Sequence, residues 1–375
     1  MKDYHVLVIG PRRGLIDELR ERRIPFSIWQ NRQVFNVSAG QKSVIAPFWN
    51  SAEKNREQIR KSFSGQRFTH VIAGTESSVL PAAVARRQVG ARLSSAATGT
   101  RCRDKLHMKQ HLAGFGIPMT RFLADSPDLD PRQVFAELGS PVVRKFRKSS
   151  GGRGLTLLER EQDYVPGEQG GCILERYINA PEVSVESFID NGDIQFTNIT
   201  AYHRKGHSNF VPAVLDKGLS DTLLAMNERV ISALGVAWGM THLELYLTQN
   251  GPLFGEVALR PPGGYIMNAI SHAWDFNPWA AFVEHASQFA ASEVLYPGAG
   301  LVSAVRGKSR ILDEQGVREF RLKVKVGEKL PARTSLGHDT GYVVHASASP
   351  EERLALHELI ERELIIELAA PDAAN

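Results

Sequence analysis

The sequence predicts a mixed α/β protein in three parts: an N-terminal parallel α/β domain, a core of two α+β subdomains, and a small C-terminal α+β domain. Three observations predict it. Short apolar runs alternate with helical stretches over about the first hundred residues, which is the pattern of a parallel sheet with crossover helices. From about Thr98 to near His285 the texture changes to glycine-punctuated motifs. From about Leu301 short strand-like runs return and end in a helix. The parts are drawn at 1–97, 98–290 (dividing at about 180) and 291–375, and a chain of 375 residues can bury cores for two or three such domains.

In order, His5 to Ile9 reads as a buried strand and Gly14 to Arg23 as a helix. Pro25 to Trp29, Ser43 to Ala46 and Thr69 to Ala73 supply further strands, with helices at Ala52 to Phe63 and Val79 to Val89. The first turn, Gly10 to Gly14, lacks GxGxxG spacing, so no dinucleotide site is assigned there. The tail reads as strands at Val302 to Val305, Arg321 to Val326 and Gly341 to Ala346. A helix over Pro350 to Leu364 follows, with Ser349 as its N-cap.

Composition removes several function classes. The net charge is only +4, and the densest basic cluster, Arg144 to Lys148, is short, so no nucleic-acid partner is expected. Two distant cysteines, Cys102 and Cys172, fit a reducing compartment and neither a disulfide framework nor a zinc site. No run of 18 apolar residues exists to span a membrane, and Met1 to Gly10 carries no signal-peptide core, so a cytoplasmic location is expected. A phosphate-binding GxxxxGK[ST] loop is missing, and His357-Glu358 fails the HExxH pattern because the fifth residue is Glu361.

Four stretches carry chemistry. In Cys102 to Pro118, Met108, Leu112 and Phe115 form an apolar stripe while Lys105 and Lys109 share another helix face; alone, this is a surface helix with solvated lysines. In Pro141 to Gly154, a strand carrying Lys145 runs into Ser149-Ser150-Gly151-Gly152-Arg153-Gly154. Small residues let backbone N–H groups converge on an anion, though a flexible hairpin loop fits equally. In Ile173 to Phe188, two strand-like pieces flank Asn179-Ala180-Pro181, with Glu175 and Glu182 seven residues apart; alone, this is a hairpin with surface acids. In Thr241 to Gly264, Leu243, Leu245 and Leu247 alternate with Glu244, Tyr246 and Thr248, and Asn250-Gly251 marks a hairpin. Glu244 and Glu256 then converge from adjacent strands. Like charges placed opposite one another destabilise a sheet unless a cation intervenes, which favours a Mg²⁺–nucleotide site over solvated acids.

In this order and at these separations, the four stretches resemble the ATP-grasp superfamily over roughly Thr98 to His285. Thr69 to Glu76 looks like the strand and loop that precede its core, and Val324-Lys325-Val326-Gly327-Glu328 is similar to the C-terminal domain of L-amino acid ligases in the carboxylate–amine ligase branch. The resemblance implies ATP and Mg²⁺ (with Mn²⁺ as a substitute) as cofactors, and small-molecule carboxylate and amine substrates of the amino-acid kind. Homodimerisation is the family's habit. It assigns Lys105 and Lys145 to the ATP phosphates and the Ser149, Ser150, Gly151, Gly152 loop to a lid over them. Glu175, Arg176 and Ile178 line the adenine, with Glu175 reading its edge and Ile178 packing on it. Glu182 accepts from the ribose, Glu244 and Glu256 hold Mg²⁺, and Arg260 and Lys145 act on the reacting groups. Ala258 departs from the family's Asn two residues beyond the second metal glutamate. Tyr202, His203, Arg204, Lys205 and His207 lie where relatives place acceptor-facing loops, and His242 stands beside Glu244.

The implied reaction is amide formation through an acyl phosphate. A carboxylate is a poor electrophile because its leaving group would be oxide; phosphorylation by ATP supplies a good one. Two rival readings stay open on the sequence: an ATP-grasp phosphotransferase, and a non-catalytic ATP-binding partner protein.

Overall fold

A computed structural model describes residues 5–38, 41–89, 95–167, 171–204, 208–283, 289–332, 339–347 and 350–369. The chain forms two compact units, Met1–Glu284 and His285–Asn375. The first takes in the N-terminal part and nearly all of the predicted core.

The first unit opens with β1 (Val6–Ile9), α1 (Arg13–Glu21), β2 (Phe26–Gln30), β3 (Ser43–Ile45), α2 (Ala52–Phe63), β4 (His70–Ala73) and α3 (Val79–Val89). The four strands form a parallel sheet, as the alternation predicts, and their order is β3-β2-β1-β4. β1 is an unbroken apolar run buried on both faces, the signature of a strand with helices above and below. Next come α4 (Ala96–Arg101), α5 (Lys105–Ala113), β5 (Phe122–Ala124), α6 (Pro131–Leu138), β6 (Val142–Phe146), β7 (Thr156–Leu158) and β8 (Cys172–Arg176). Strands β5-β8-β6-β7 make an antiparallel sheet. Then β9 (Glu182–Asp190), β10 (Asp193–Arg204), β11 (Ser208–Phe210), α7 (Lys217–Leu234), β12 (Gly239–Thr248), β13 (Gly251–Ala258) and α8 (Ile266–Trp274) follow. Here the antiparallel order is β11-β10-β9-β12-β13.

That five-stranded sheet is two-faced. Val183, Val185, Leu243, Leu245, Phe254 and Val257 are buried within one hydrophobic cluster that also holds Leu223, Val230 and Leu234 of α7 and reaches Leu7 and Ile9 of β1. The other face carries Glu182, Ser184, Glu186, His242, Glu244 and Glu256 at the intervening positions. Period-two alternation therefore separates core from chemistry residue by residue.

Three expectations are corrected. Glu175 and Glu182 are not surface acids across a hairpin: β8 and β9 belong to different sheets, because β8 already pairs with β5 on one side and β6 on the other, and Glu175 is buried. The stripe partner Phe115 lies beyond the end of α5 and is exposed, whereas Met108 and Leu112 are buried as predicted. Lys105 and Lys109 are not solvated; they are 6% and 0% exposed.

In the second unit, β14 (Phe289–Leu295), β15 (Gly300–Arg306), α9 (Lys308–Leu312), β16 (Val317–Leu322), β17 (Lys329–Leu330), β18 (Gly341–Ser347), α10 (Pro350–Glu363) and β19 (Ile365–Leu368) build two three-stranded sheets, β14-β18-β16 and β17-β15-β19. Ile311, Val343, Leu356, Ile360 and Leu364 form a core of this unit. The predicted strand at Arg321 to Val326 sits earlier, ending at Leu322, because Gly327, at φ +89°, closes a turn there. The expected N-cap, Ser349, lies outside the described residues. Among the described residues no helix is long and apolar enough to cross a membrane.

Leu243 is fully buried in the largest cluster, so Leu243→Ala should cost about 2–5 kcal/mol through lost transfer energy plus a residual cavity. A denaturant titration of the variant against the parent reads this directly; a loss under about 1 kcal/mol would mean the sheet does not share that core.

Candidate active site

The site is built from the end of α5, the β6–β7 hairpin, β8, and the polar face of the five-stranded sheet. Asp104 caps α5, accepting from the N–H groups of Leu106 at 3.2 Å and His107 at 3.4 Å. The same wholly buried carboxylate receives Arg147 two-pronged, at 2.9 and 2.8 Å. Burial alone would raise the Asp104 carboxyl, but Arg147 outweighs it and holds the group below its ordinary range. On either side the contacts repeat: Arg103 Nη2 donates to the Lys148 carbonyl at 2.6 Å, and Lys105 Nζ to that of Ser149 at 2.9 Å. Three consecutive residues thus clamp the base of the glycine loop.

The loop is a hairpin connection between β6 and β7, so the bland half of the sequence reading describes its topology. Gly151, Gly152 and Gly154 all take positive φ, at +61°, +69° and +71°. At Gly154 a Cβ would also lie 2.1 Å from the Phe146 ring, so this position admits no side chain. Ser149 and Ser150 are half-buried at its base, Ser149 donating to the Phe146 carbonyl at 3.1 Å and Ser150 accepting from Arg153 at 3.0 Å.

Behind the loop, Glu175 is 3% exposed and lies between two ammonium groups, Lys145 at 3.0 Å and Lys109 at 3.6 Å. Burial raises its carboxyl, and Lys109 and Lys145 more than reverse that, leaving it below the usual range. Its carboxylate therefore faces the lysines. Burial lowers Lys145, yet Glu175 and Glu256 together carry it above its ordinary value. Lys109 donates to Thr120 Oγ1 at 2.8 Å and lies over the Phe254 ring at 5.6 Å, and burial brings it down to about 8. Two cations thus share one carboxylate, Lys145 the nearer. Arg176 is exposed, Ile178 half-buried, and Glu182 half-buried at the start of β9, opposite Tyr246.

On the sheet, Glu244 and Glu256 converge from adjacent strands as expected and are registered directly opposite one another, although the turn falls at Gln249-Asn250 rather than Asn250-Gly251. A bulge secures this: Leu245 pairs with Phe254, leaving Gly255 as the extra residue, and a Cβ there would meet the Glu244 carbonyl at 3.0 Å. Each acid has its own cation. Lys105 Nζ is 3.2 Å from Glu256, and His242 Nε2 is 3.3 Å from Glu244. His242 in turn places Nδ1 2.9 Å from Glu186, a carboxylate with no exposed surface that also accepts from Ser184, Asn198 and Thr200 at 2.6–2.8 Å. Burial lowers His242, but Glu186 and Glu244 raise it to about 9. Ala258 is registered opposite His242.

Arg260 follows β13 and donates through Nε to Glu76 at 3.1 Å. Tyr202, His203 and Arg204 close β10 rather than forming a loop, and Tyr202 lies 3.2 Å from His242. Lys205 and His207 lie outside the described residues. Sequence reasoning missed Glu76, Arg103, Asp104, Lys109 and Glu186 as members of this cluster. Asp104 and Lys109 stood inside a stretch already singled out, and Asp104 just before a helix is an N-cap signal.

The donors fit a divalent cation held together with a nucleotide: two carboxylate oxygens on one face suit a hard ion that keeps phosphate oxygens and water in its shell. Among the described residues no group of three acidic, His or Cys side chains builds a metal site without such help.

Two paired α+β sheets with lysines between them and carboxylates facing the gap define an ATP-grasp fold. The ATP-grasp domain family matches residues 110–270, and the family of L-amino acid ligase C-terminal domain 2 matches 293–369. The chain thus carries an ATP-grasp domain followed by one of the L-amino acid ligase C-terminal kind. It is 27% identical over 232 residues to the L-arginine-specific L-amino acid ligase of Bacillus subtilis, a match spanning 56% of each chain. The chain thus covers little more than half of that relative's length. The crystal structure of an L-amino acid ligase from Bacillus licheniformis has the same fold, with a TM-score of 0.63 at 18% identity over 98% of this chain and 99% of that one. That of N5-carboxyaminoimidazole ribonucleotide synthetase from Thermotoga maritima gives 0.57 at 18% identity over 98% and 99%.

Lys109 supplies a pH signature. An ammonium with a depressed pKa means that, between about 8 and the unfolded value of roughly 10.4, the unfolded chain binds more protons than the native one. Stability contributed by this group therefore rises with pH across that window, by up to about 3 kcal/mol. Urea midpoints of the parent and Lys109→Gln should diverge from pH 8 to 10 in the parent's favour; parallel curves would mean Lys109 titrates as an ordinary lysine.

Proposed function

We propose that the chain is an ATP-dependent ligase that joins a carboxylate to an amine as an amide, through an acyl phosphate, with ADP and phosphate as products. The observation that carries this reading is the facing pair Glu244–Glu256 with Lys105 on one side and Arg260 four residues further along the same segment. The named amino-acid ligases among its relatives support the same class.

In this reading Lys105 and Lys145 bind the phosphates of ATP, and the loop carrying Ser149 to Gly152 covers them. Its successive N–H groups donate to phosphate oxygens, and closure of the loop excludes water from the acyl phosphate. Glu182 accepts from the ribose, and the segment from Glu175 to Ile178, including Arg176, lines the base through its backbone and Ile178. A carboxylate edge contact from Glu175 would require it to leave Lys109 or Lys145. Glu244 and Glu256 would hold Mg²⁺, which when bound neutralises charge on the transferring phosphoryl group. The substrate carboxylate oxygen attacks the γ-phosphorus, the bond to the ADP oxygen breaks, and the acyl phosphate forms. A neutral amine then attacks the acyl carbon, the bond to phosphate breaks, and the proton shed by the nitrogen leaves with the phosphate. Arg260 can fork onto the tetrahedral oxyanion or the leaving phosphate, which Lys cannot do in the same geometry.

Paired and single amino acids incubated with ATP and Mg²⁺ should release ADP and phosphate only when both a carboxylate and an amine are present, with an amide identified by mass. AMP as product would remove the acyl-phosphate route, and a phosphorylated alcohol would replace the ligase by a phosphotransferase. Arg260→Lys should lower kcat more than it raises the KM for ATP.

Glu256→Gln keeps shape while withdrawing the charge offered to the cation. Because Glu256 is partly exposed, and Gln keeps an acceptor oxygen for Lys105, which also donates to the Ser149 carbonyl, the unfolding midpoint should move far less than loss of a fully buried pair would cause, while turnover falls at least a hundredfold, roughly 2.7 kcal/mol of transition-state stabilisation. Retention of most activity at saturating Mg²⁺ would remove Glu256 from the reaction.

A further inference from the structure

Two lysines face one carboxylate behind the glycine loop, and their situations differ. On β6, Lys145 is registered with Ile173, two positions before Glu175 on β8, so the two side chains are diagonal neighbours on one sheet face. Glu175 Oε2 takes the Lys145 ammonium at 3.0 Å. The other oxygen, Oε1, is buried and makes no hydrogen bond among the described residues. Lys109 Nζ, arriving from α5, stands 3.6 Å from it, near enough for an ion pair and too far for a hydrogen bond.

Only one of these lysines can meet a ligand. Lys145 keeps 12% of its side chain exposed. Lys109 has no exposed surface: it donates to Thr120 Oγ1 at 2.8 Å and lies beside the rings of Phe122 and Phe254, at 5.9 and 5.6 Å. A buried ion pair replaced by apolar residues is often no less stable, so a second buried lysine on a carboxylate that already has a partner calls for a reason other than folding.

We propose that Lys109 is the reserve partner of Glu175, a positioning residue that lets Lys145 leave its carboxylate for a phosphate of the nucleotide. This rests on the ATP reading and deepens it. Without Lys109, each move of Lys145 to a phosphate would strand a buried carboxylate, the least favourable state of this cluster. With it, Glu175 Oε1 closes on an ammonium that is already next to it, and the carboxylate stays paired throughout.

The exchange carries a proton signature. The charged groups acting on Lys109 are Glu175 from β8, Lys145 from β6 and Glu256 from β13; burial brings it down to about 8, Lys145 adds to this, and the two acids oppose it. Moving Lys145 towards phosphate takes away a like charge and leaves Glu175 to Lys109, so the Lys109 amine holds a proton more tightly. Above pH 8 nucleotide binding therefore draws a proton from solvent onto Lys109 Nζ, whereas at pH 7 that nitrogen already carries it. The nucleotide supplies no competing proton there, because phosphate monoesters lose their last one at about pH 6.

Calorimetric titration of the full chain with ATP and Mg²⁺, with no carboxylate or amine substrate, in buffers of different ionisation heat counts the protons. The parent should take up almost none at pH 7 and about half a proton or more per nucleotide at pH 9. Lys109→Met should abolish that uptake and weaken binding at least tenfold. Adding Glu175→Gln to it should restore affinity to within about threefold of the parent, since no carboxylate is then left to strand. Should Lys109→Met not fold, the parent's proton count and the double variant decide. ATP binding by the parent without extra uptake at pH 9, uptake that survives in Lys109→Met, or unchanged affinity in that variant would each overturn the exchange and leave the ATP reading standing. A folded parent that binds no ATP would overturn the ATP reading, and the exchange with it.

Discussion

The arrangement depends on one constraint: ammonium and carboxylate groups taken out of water must find each other. Lys109 has no exposed surface, and Lys145, Lys105 and Glu175 have little. An isolated charge in such a place would cost several kcal/mol, and removing one partner of a buried pair typically costs about 3–5 kcal/mol. Glu175 therefore fixes where both Lys145 and Lys109 can be, and Glu256 does the same for Lys105. Asp104 extends the constraint into the backbone, since it caps α5 and holds the Arg147 side chain at the foot of the glycine loop. The cations that the proposed function assigns to phosphate are thus held in place by packing and pairing.

Chain geometry delivers those charges to one place. On β12 the leucines turn to the core and the acids to the other face, so burying the first set presents the second. Strict pairing after a two-residue turn would put Gly255 opposite Glu244; the bulge shifts the register by one and brings Glu256 there instead. Beneath Glu244, the Glu186–His242 pair keeps the imidazole facing it, with Ser184, Asn198 and Thr200 satisfying the remaining oxygens of Glu186.

How much of this was legible follows from the range of each interaction. Helices α2 and α3 and the parallel order of strands could be read locally, because periodicity and turn residues are local signals. That two acids lie on adjacent strands of one hairpin was legible too, because the turn signal is local. Their register was not, since the turn falls at Gln249-Asn250 and a bulge at Gly255 sets the pairing. What sequence could not show was sheet membership: nothing between Arg176 and Glu182 says that β8 already has neighbours on both sides. Nor could it tell a buried lysine from a solvated one. Lys109 is buried because Thr120, Glu175 and Phe254, from three other segments, close over it. Glu76 meets Arg260 across 184 positions of sequence, far outside any local pattern.

The same pairing bears on how a nucleotide and its cation could enter together. Lys105 is the cation that offsets Glu256, and it also reaches the Ser149 carbonyl at the base of the glycine loop. A phosphate drawing Lys105 away alone would leave Glu256 facing Glu244 with its neighbouring positive charge removed, a like-charge pair that a sheet does not favour. A divalent cation arriving alone would compete with Lys105 for Glu256 and with His242 for Glu244. A metal–phosphate unit avoids both costs, because the cation replaces Lys105 at Glu256 while the phosphate accepts the ammonium so released. Under the proposed function, coupled loading of metal and nucleotide is then a consequence of how this cluster balances its charge, and the glycine loop feels the exchange through the Ser149 carbonyl.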